Sequence, residues 1–162
     1  MSTMTDRLTA RHDGTGFSFA HPPAVAIEVD PEPAVLESVV IRDAEQPVLI
    51  AASLEESPLD TADLQVPALH GLVLHGYEGH DGYELRSSGR VPVAGSDAAV
   101  LTEIAYGGRD PRQALVLTAR VDGPRLVTLQ VHFPPATADV NRPLALAIVQ
   151  SLAVRSGTDP LR

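Results

Sequence analysis

The 162-residue chain contains no cysteine, no lysine and no tryptophan. Without cysteine it can form neither disulfides nor thiolate metal sites, and it has no thiol nucleophile. Without lysine it lacks the cation of a phosphate-binding P-loop and the amine that forms Schiff bases with carbonyl substrates. These absences exclude several common enzyme classes before any motif is considered.

Aromatic rings are scarce, and the charge is mainly negative. Three Phe and three Tyr make up 4% of the chain, and 21 acidic residues outnumber 12 basic residues, all Arg, for a net charge of −9. An acidic surface repels phosphate backbones and anionic lipid head groups, and few rings are available to stack on bases. We therefore expect no nucleic-acid partner and no attachment to anionic membranes, and the lack of a membrane-spanning apolar run predicts no membrane insertion.

Long hydrophobic runs are also missing. No apolar run approaches the ~20 residues that cross a bilayer, and residues 1–16 lack the apolar segment of a secretory signal, so we expect a cytoplasmic protein. Hydrophobic residues still make up 44% of the chain, enough for a sizeable core. The sequence predicts a mobile arm at 1–15, one domain at 16–155 and a tail at 156–162.

Alternating apolar and polar residues predict most of the strands. Three such runs, centred on Ile104, Leu117 and Leu129, are separated by turn-rich segments and indicate an antiparallel meander. Residues 35–41 and 48–54 predict a hairpin with a longer loop. Short strands are expected at 17–19 and 25–29, the first at a sheet edge because Pro22-Pro23 cannot donate to a ladder.

The register of the last hairpin follows from its apolar faces. One common face requires Ala119 opposite Leu129 and Val121 opposite Val127, which predicts a connecting loop of three or five residues. A two-residue loop at 123–124 would send one apolar set to the wrong side. The opposite face then carries a polar strip, which comprises Glu103, Thr118, Arg120, Thr128, Gln130 and His132.

Two helices complete the pattern. Ser57-Pro58 is a favourable start for a helix that runs to about Gly76, with a kink expected at Pro67. Its predicted apolar stripe is Leu64, Leu69, Leu72 and Val73. A second amphipathic helix at 141–154 should lie across the meander. The order of strands, helix, strands, helix predicts an α+β fold with a largely antiparallel β-sheet flanked by helices.

Candidate chemical sites are few. His70, His75 and His80 lie five residues apart, a spacing that aligns on neither a helix nor a strand, so we expect solvated loop histidines and no metal. No serine occupies a Gly-x-Ser-x-Gly turn, and no phosphate-binding glycine motif is present. We predict no cofactor and no catalytic residue, and we interpret the polar strip as cross-strand pairs on a partly wet face.

Short segments of the sequence resemble the PsbP-like fold family, which includes Mog, the DcrB-like proteins and the LpqN-type proteins. The similar segments are Gly16 to Pro22, Arg90 to Ala98, Leu126 to Pro134 and Ala147 to Leu152. The resemblance covers about residues 16–155 and implies an antiparallel sheet sandwiched by helices, an α/β/α sandwich. It also implies a protein without catalytic residues, because family members act mostly as accessory proteins, adaptors or secretion chaperones.

Together these observations predict a non-catalytic cytosolic protein-binding module, either an adaptor or a secretion-type chaperone. Its partner is another protein or a second copy of the chain. The predicted contact residues, on the polar face of the sheet, are Glu103, Val116, Arg120, Gln130 and His132. The alternative is a small-molecule binder or an enzyme with a pocket between the sheet and residues 58–76.

Overall fold

A computed structural model describes residues 8–23, 25–28, 35–42 and 48–155. The predicted tail 156–162, the loop 43–47 and Val29 lie outside these residues. The strands are β1 (Ala10–Asp13), β2 (Phe17–His21), β3 (Val25–Glu28), β4 (Val35–Arg42), β5 (Leu49–Glu56), β6 (Glu84–Arg90), β7 (Ala99–Tyr106), β8 (Arg112–Asp122), β9 (Arg125–Phe133) and β10 (Ala153–Val154). The helices are α1 (Ala62–Glu78) and α2 (Ala138–Gln150), the latter preceded by a short 3-10 turn.

Seven of these strands form one antiparallel sheet in the order β3-β4-β5-β9-β8-β7-β6. The predicted hairpin is β4-β5, and the predicted meander is β7-β8-β9. Strands β1, β2 and β10 form a second, three-stranded sheet. The α+β class and the largely antiparallel architecture are therefore confirmed. None of the helices in the described part of the chain is long and apolar enough to cross a membrane.

The large sheet is covered on both faces. Helix α2 and the small sheet pack on one face, here called the α2 face, and enclose the main apolar core. Helix α1 packs on the other face, here called the α1 face, across β7, β8 and β9. The main core includes Phe17, Phe19, Leu117, Leu129, Val131, Phe133, Leu144 and Ile148, all fully buried.

The amino-terminal region departs from the prediction at two points. Residues 10–13 of the predicted arm form β1, which pairs with β2, so the arm 1–15 is not entirely without structure. Strand β2 lies between β1 and β10, so the prediction of an edge strand is wrong. Pro22 and Pro23 follow His21, the last paired residue of β2. They therefore remove no hydrogen-bond donor from the ladder and do not force β2 to an edge.

The register of β8 against β9 is also shifted from the prediction. Ala119 lies opposite Val127, and Leu117 lies opposite Leu129. Strand β8 ends at Asp122 and β9 begins at Arg125, so the connecting loop has two residues, not three or five. A bulge between Arg120 and Asp122 adds one residue to β8, which keeps both apolar sets on one face despite the short loop.

Helix α1 begins at Ala62, and Pro67 lies inside it. Its predicted apolar stripe is wrong at Leu64 and Leu72, which are 55% and 70% exposed, whereas Leu69 is half-buried and Val73 packs against the sheet. The side that faces the sheet instead carries Gln65, Val66 and His70, which are buried. This orientation follows from the polar residues on the α1 face of the sheet, which need hydrogen-bond partners once the helix removes water from them.

Candidate functional site

Strand alternation divides the five predicted contact residues between the two faces of the sheet. Val116, Arg120, Gln130 and His132 belong to the α1 face, as predicted. Glu103 pairs with Leu115 of the main core and lies on the α2 face, so its assignment to the polar strip is wrong. The error arose because the apolar residues of β7, such as Ile104, face α1, where they form a small second cluster with Val116.

Helix α1 covers the predicted contact surface. Val116 is fully buried, His132 is 9% exposed, and Arg120 and Gln130 are half-buried. Val116 is therefore not available as an exposed apolar contact. Partner binding at these residues stays a prediction, and it would require α1 to move away from the sheet.

His132 lies in a network of tyrosines beneath the end of α1. Its Nδ1 is 2.7 Å from the Tyr106 hydroxyl, and its Nε2 is 3.3 Å from the Tyr77 hydroxyl. The Tyr77 hydroxyl also donates to Oε1 of Gln130. Burial lowers the pKa of His132 to about 4, with a smaller contribution from the nearby Arg112 charge. Burial likewise raises the pKa of both tyrosines. These groups stay neutral and hold α1 on the sheet.

His70 forms a second buried network nearer the middle of α1. Its Nδ1 is 2.8 Å from Thr118 Oγ1, and its Nε2 is 2.7 Å from Thr102 Oγ1. The chain continues to the Ser88 hydroxyl, 2.7 Å from Thr102 Oγ1. A neutral imidazole can donate with one nitrogen and accept with the other, which suits two hydroxyl partners. Burial lowers the pKa of His70, in keeping with the neutral form.

The three spaced histidines do not converge. The prediction of solvated loop histidines is wrong for His70, which is buried in α1, and its loop part is wrong for His75, which also lies in α1. His75 is exposed and pairs with Glu78 at 3.1 Å, and His80 packs its ring near Tyr77 and Tyr106. Among the residues that the structure describes, no group of three or more histidine and carboxylate side chains is placed to hold a metal.

On the α2 face, Glu103 forms a two-point ion pair with Arg142 of helix α2. The shortest contact joins Arg142 Nη2 and a Glu103 carboxylate oxygen at 2.7 Å. The hydrogen bonds from this guanidinium lower the pKa of Glu103 despite the opposing effect of burial. The pair lines one end of a cavity of about 220 Å³ between β6 and α2. The cavity's apolar walls are Val91, Leu101, Leu115 and Leu146.

Arg120, a residue of β8, lies beside the start of α1 and lines two further cavities. Its Nη1 is 3.3 Å from an Asp97 carboxylate oxygen, and its Nη2 donates to the Ala62 carbonyl. The two cavities have volumes of about 680 and 610 Å³ and share Ala62, Asp97 and Arg120 in their linings. The smaller of the two reaches Arg90 at the end of β6.

Strand β6 is one of the two edge strands of the large sheet, the other being β3. All seven of its residues are exposed, and among the described residues it pairs only with β7. Val91, directly after the strand, donates its N–H to the Ala99 carbonyl on β7. Because successive residues of an antiparallel strand point their backbone groups in opposite directions, Ser88 and Arg90 direct theirs to the open edge.

Sequence reasoning missed the contributions of His70, Tyr77 and β6. The spacing of Val66, His70, Val73 and Tyr77 follows one side of a helix and could have indicated the buried face. A more hydrophobic stripe on the other side of the same helix obscured that signal. The edge position of β6 depends on strand order, for which the sequence carries no local signal.

Neither a scan of protein-family models nor a search of curated proteins gives a match. Solved structures do. PsbP of the cyanobacterium Synechocystis sp. PCC 6803 aligns with a TM-score of 0.65 and 20% identity, over 90% of this chain and 91% of that chain. The fold is PsbP-like.

Two further solved structures share the PsbP-like fold. LpqN of Mycobacterium tuberculosis, involved in cell envelope biogenesis, has a TM-score of 0.54 and 14% identity, over 95% of this chain and 98% of that chain. A Pseudomonas aeruginosa protein of unknown function, described as a putative regulator, has a TM-score of 0.51 and 16% identity, over 85% and 91% of the two chains. At these identities the likeness establishes the fold and leaves function to be argued from the site.

Proposed function

We propose that this protein is a non-catalytic protein-binding module that takes up an extended segment of a partner along strand β6. The observation that carries the proposal is the open edge of β6, whose seven residues are all exposed. Backbone groups on such an edge can form a new antiparallel or parallel ladder with a partner strand. The candidate chemical groups His70 and His132 support a binding role, because both are hydrogen-bonded to other side chains under α1.

The edge is protected against indiscriminate pairing. Glu84, Arg86 and Arg90 place three charged side chains on the strand, and a bulge lies between Leu85 and Ser87. Charges and bulges at an edge are the devices that prevent aggregation of exposed strands. A regular, open ladder is left at 87–90, and we propose that this part accepts the partner.

The test uses displayed random peptides, selected for binding to the whole protein. A selected peptide should slow amide hydrogen exchange at Ser88 and Arg90, whose N–H groups face the open edge. The S88P variant removes one of these donors, and we expect it to weaken peptide binding about tenfold. The matched S88A variant loses the same hydroxyl contact with Thr102 but keeps the N–H, and it should bind as the unchanged protein does.

Equal binding to both variants, with both folded by circular dichroism, would overturn the proposal. So would exchange protection confined to another surface. Failure to select any peptide, in a library that yields binders to a control protein with a known strand-addition site, would also count against it.

A second candidate function is small-molecule binding at the start of α1, in the region predicted for a pocket. The specific observation is the pair of cavities beside Arg120, whose volumes fall in the range of ligand sites. Arg120 is already paired with Asp97 and the Ala62 carbonyl, so a ligand must compete with both. Compounds that raise the melting temperature of the protein but not of R120Q would support this candidate.

We also propose that the protein is located in the cytoplasm, as the sequence analysis led us to expect. The envelope is the alternative compartment, because the similar LpqN takes part in cell envelope biogenesis. Fractionation of the native host, followed by detection with an antibody against the protein, separates the two compartments.

A further inference from the structure

We infer that the segment bound along β6 carries an aliphatic residue next to an acidic one. This inference rests on the proposed function and specifies the partner's chemistry. It follows from two cavities that lie on opposite faces of the sheet at the same end of the strand, one of about 220 Å³ and one of about 610 Å³. Because neighbouring residues of an added strand point to opposite faces, adjacent side chains would enter the two cavities.

The cavity on the α2 face selects the aliphatic residue. Gly89 pairs with Leu101 and therefore belongs to this face. A Cβ atom placed on Gly89 meets nothing within 4 Å, so the strand leaves open space beside the cavity. Away from the Glu103–Arg142 pair the walls are aliphatic, and Leu101 and Leu146 are only partly buried. A glycine in a strand often marks the close approach of another backbone. A branched aliphatic side chain opposite Gly89 would cover this space and remove the leucines from water.

The cavity on the α1 face selects the acidic residue through Arg90. Arg90 pairs with Val100, faces this cavity and is exposed. Within the described part of the chain its guanidinium has no ion pair or hydrogen bond. Asp63 and Asp97 also line the cavity, and Asp97 pairs with Arg120. A carboxylate on the incoming strand would give Arg90 a two-point partner.

A second copy of this chain fits the edge less well than a partner protein does. Leu85 is the one aliphatic residue of β6, and antiparallel pairing of two β6 strands about Ser87 is the register that places it opposite Gly89 of the other copy. Leu85 pairs with Ile104 and belongs to the α1 face, whereas Gly89 belongs to the α2 face. The bulge causes this difference, and it directs Leu85 away from the aliphatic cavity. The net charge of −9 on each copy also opposes self-association.

The test compares the sequences of peptides selected by three forms of the protein. Peptides selected by the unchanged protein should carry an aliphatic residue adjacent to Asp or Glu. R90E should reverse the charge preference, so that Lys or Arg replaces the acidic residue. G89V fills the space beside the cavity without a clash and suits a strand, and it should weaken binding of an original peptide about tenfold.

The outcomes separate the specificity from the function. Peptides that bind along β6, as shown by exchange protection and sensitivity to S88P, but lack the pair of residues would overturn the specificity alone. An unchanged charge preference in R90E would do the same. A concentration-dependent dimer in sedimentation experiments, lost in S88P and retained in S88A, would show that the occupant is a second copy and would overturn the partner assignment.

Discussion

At the scale of single residues, the stability of this protein depends on side chains that alternate along the central strands. Leu117, Leu129, Val131 and Ile148 are fully buried in the apolar core. Polar residues alternate with them on the other face, where Thr118 and His132 find hydrogen-bond partners from α1. The same strand therefore contributes to an apolar core on one side and to a polar interface on the other.

Leu129 provides a direct test of the apolar side. It is fully buried and lies opposite Leu117 in the centre of the sheet. We expect L129A to lower the free energy of unfolding by about 2–5 kcal/mol, because the truncation removes buried surface and leaves a cavity. Urea denaturation measures this change. The control is L72A, on the exposed side of α1, which should change stability by about 0.5 kcal/mol or less. A loss below about 1 kcal/mol in L129A would contradict this assignment of faces.

At the scale of elements, α1 differs from α2 in what it buries. Helix α2 buries Leu144, Ala145, Ile148 and Val149 in the main core. Helix α1 buries Gln65, Val66 and His70, and its carboxyl-terminal half is held by the hydroxyls around His132. The attachment of α1 should therefore depend on pH through histidine, because protonation disrupts the hydrogen bonds of a buried neutral imidazole. The attachment of α2 rests mainly on apolar contacts, and its Glu103–Arg142 pair is lost only in more acidic solution, where the carboxylate becomes protonated.

We expect stability to fall as the pH is lowered from about 6.5 to 4, because the pKa of His132 is about 4 in the folded protein and about 6.5 in an unfolded chain. In this window the unfolded chain binds a proton that the folded protein does not, so acid favours unfolding. The groups around His132 are Arg112, Tyr77 and Tyr106. Protonation of His132 in the unfolded chain has little effect on the free energy of unfolding above pH 6.5 and lowers it by about 3 kcal/mol near pH 4.

Denaturation of H132Q across the same pH range checks this effect. The variant should show a shallower decline of unfolding free energy with acid than the unchanged protein. H75Q replaces an exposed histidine of α1 and should follow the unchanged protein. Parallel curves for H132Q and the unchanged protein would show that the buried imidazole does not titrate as we expect.

At the scale of the whole molecule, the two sheets share one core. Phe17 and Phe19 of the small sheet are fully buried against residues of β4, β5, β8, β9 and α2. Strand β1 extends this layer, because the His12 ring lies 5.6 and 5.4 Å from the rings of Phe17 and Phe19. The amino-terminal strands therefore belong to the domain and are not an appendage to it.

A chain shortened to begin at residue 16 tests this boundary. It lacks β1 and its four pairs with β2. At the usual contribution of cross-strand pairs, we expect a loss of about 2 kcal/mol in unfolding free energy. Urea denaturation of the shortened and full chains measures the difference, and H12A in the full chain separates ring packing from strand pairing. Equal stability of the two chains would support a mobile arm over 1–15.

The patterns within single segments were sufficient to predict the α+β class, the hairpin, the meander and most of the apolar core. These features depend on alternation within single segments, and alternation is a local property that strand geometry imposes directly. These patterns do not show that β6 lies at an edge of the sheet, because strand order depends on contacts between distant segments.

The tertiary structure decided how those elements face one another. The bulge beyond Arg120 set the register of β8 and β9, and the burial of His70 set the orientation of α1. Both depend on neighbouring segments. The bulge allows a two-residue loop while the apolar residues of β8 and β9 stay on one face. The helix packs its less apolar side against the polar face of the sheet. Composition and periodicity describe each segment alone, whereas these outcomes depend on the hydrogen bonds and packing that the segments offer one another.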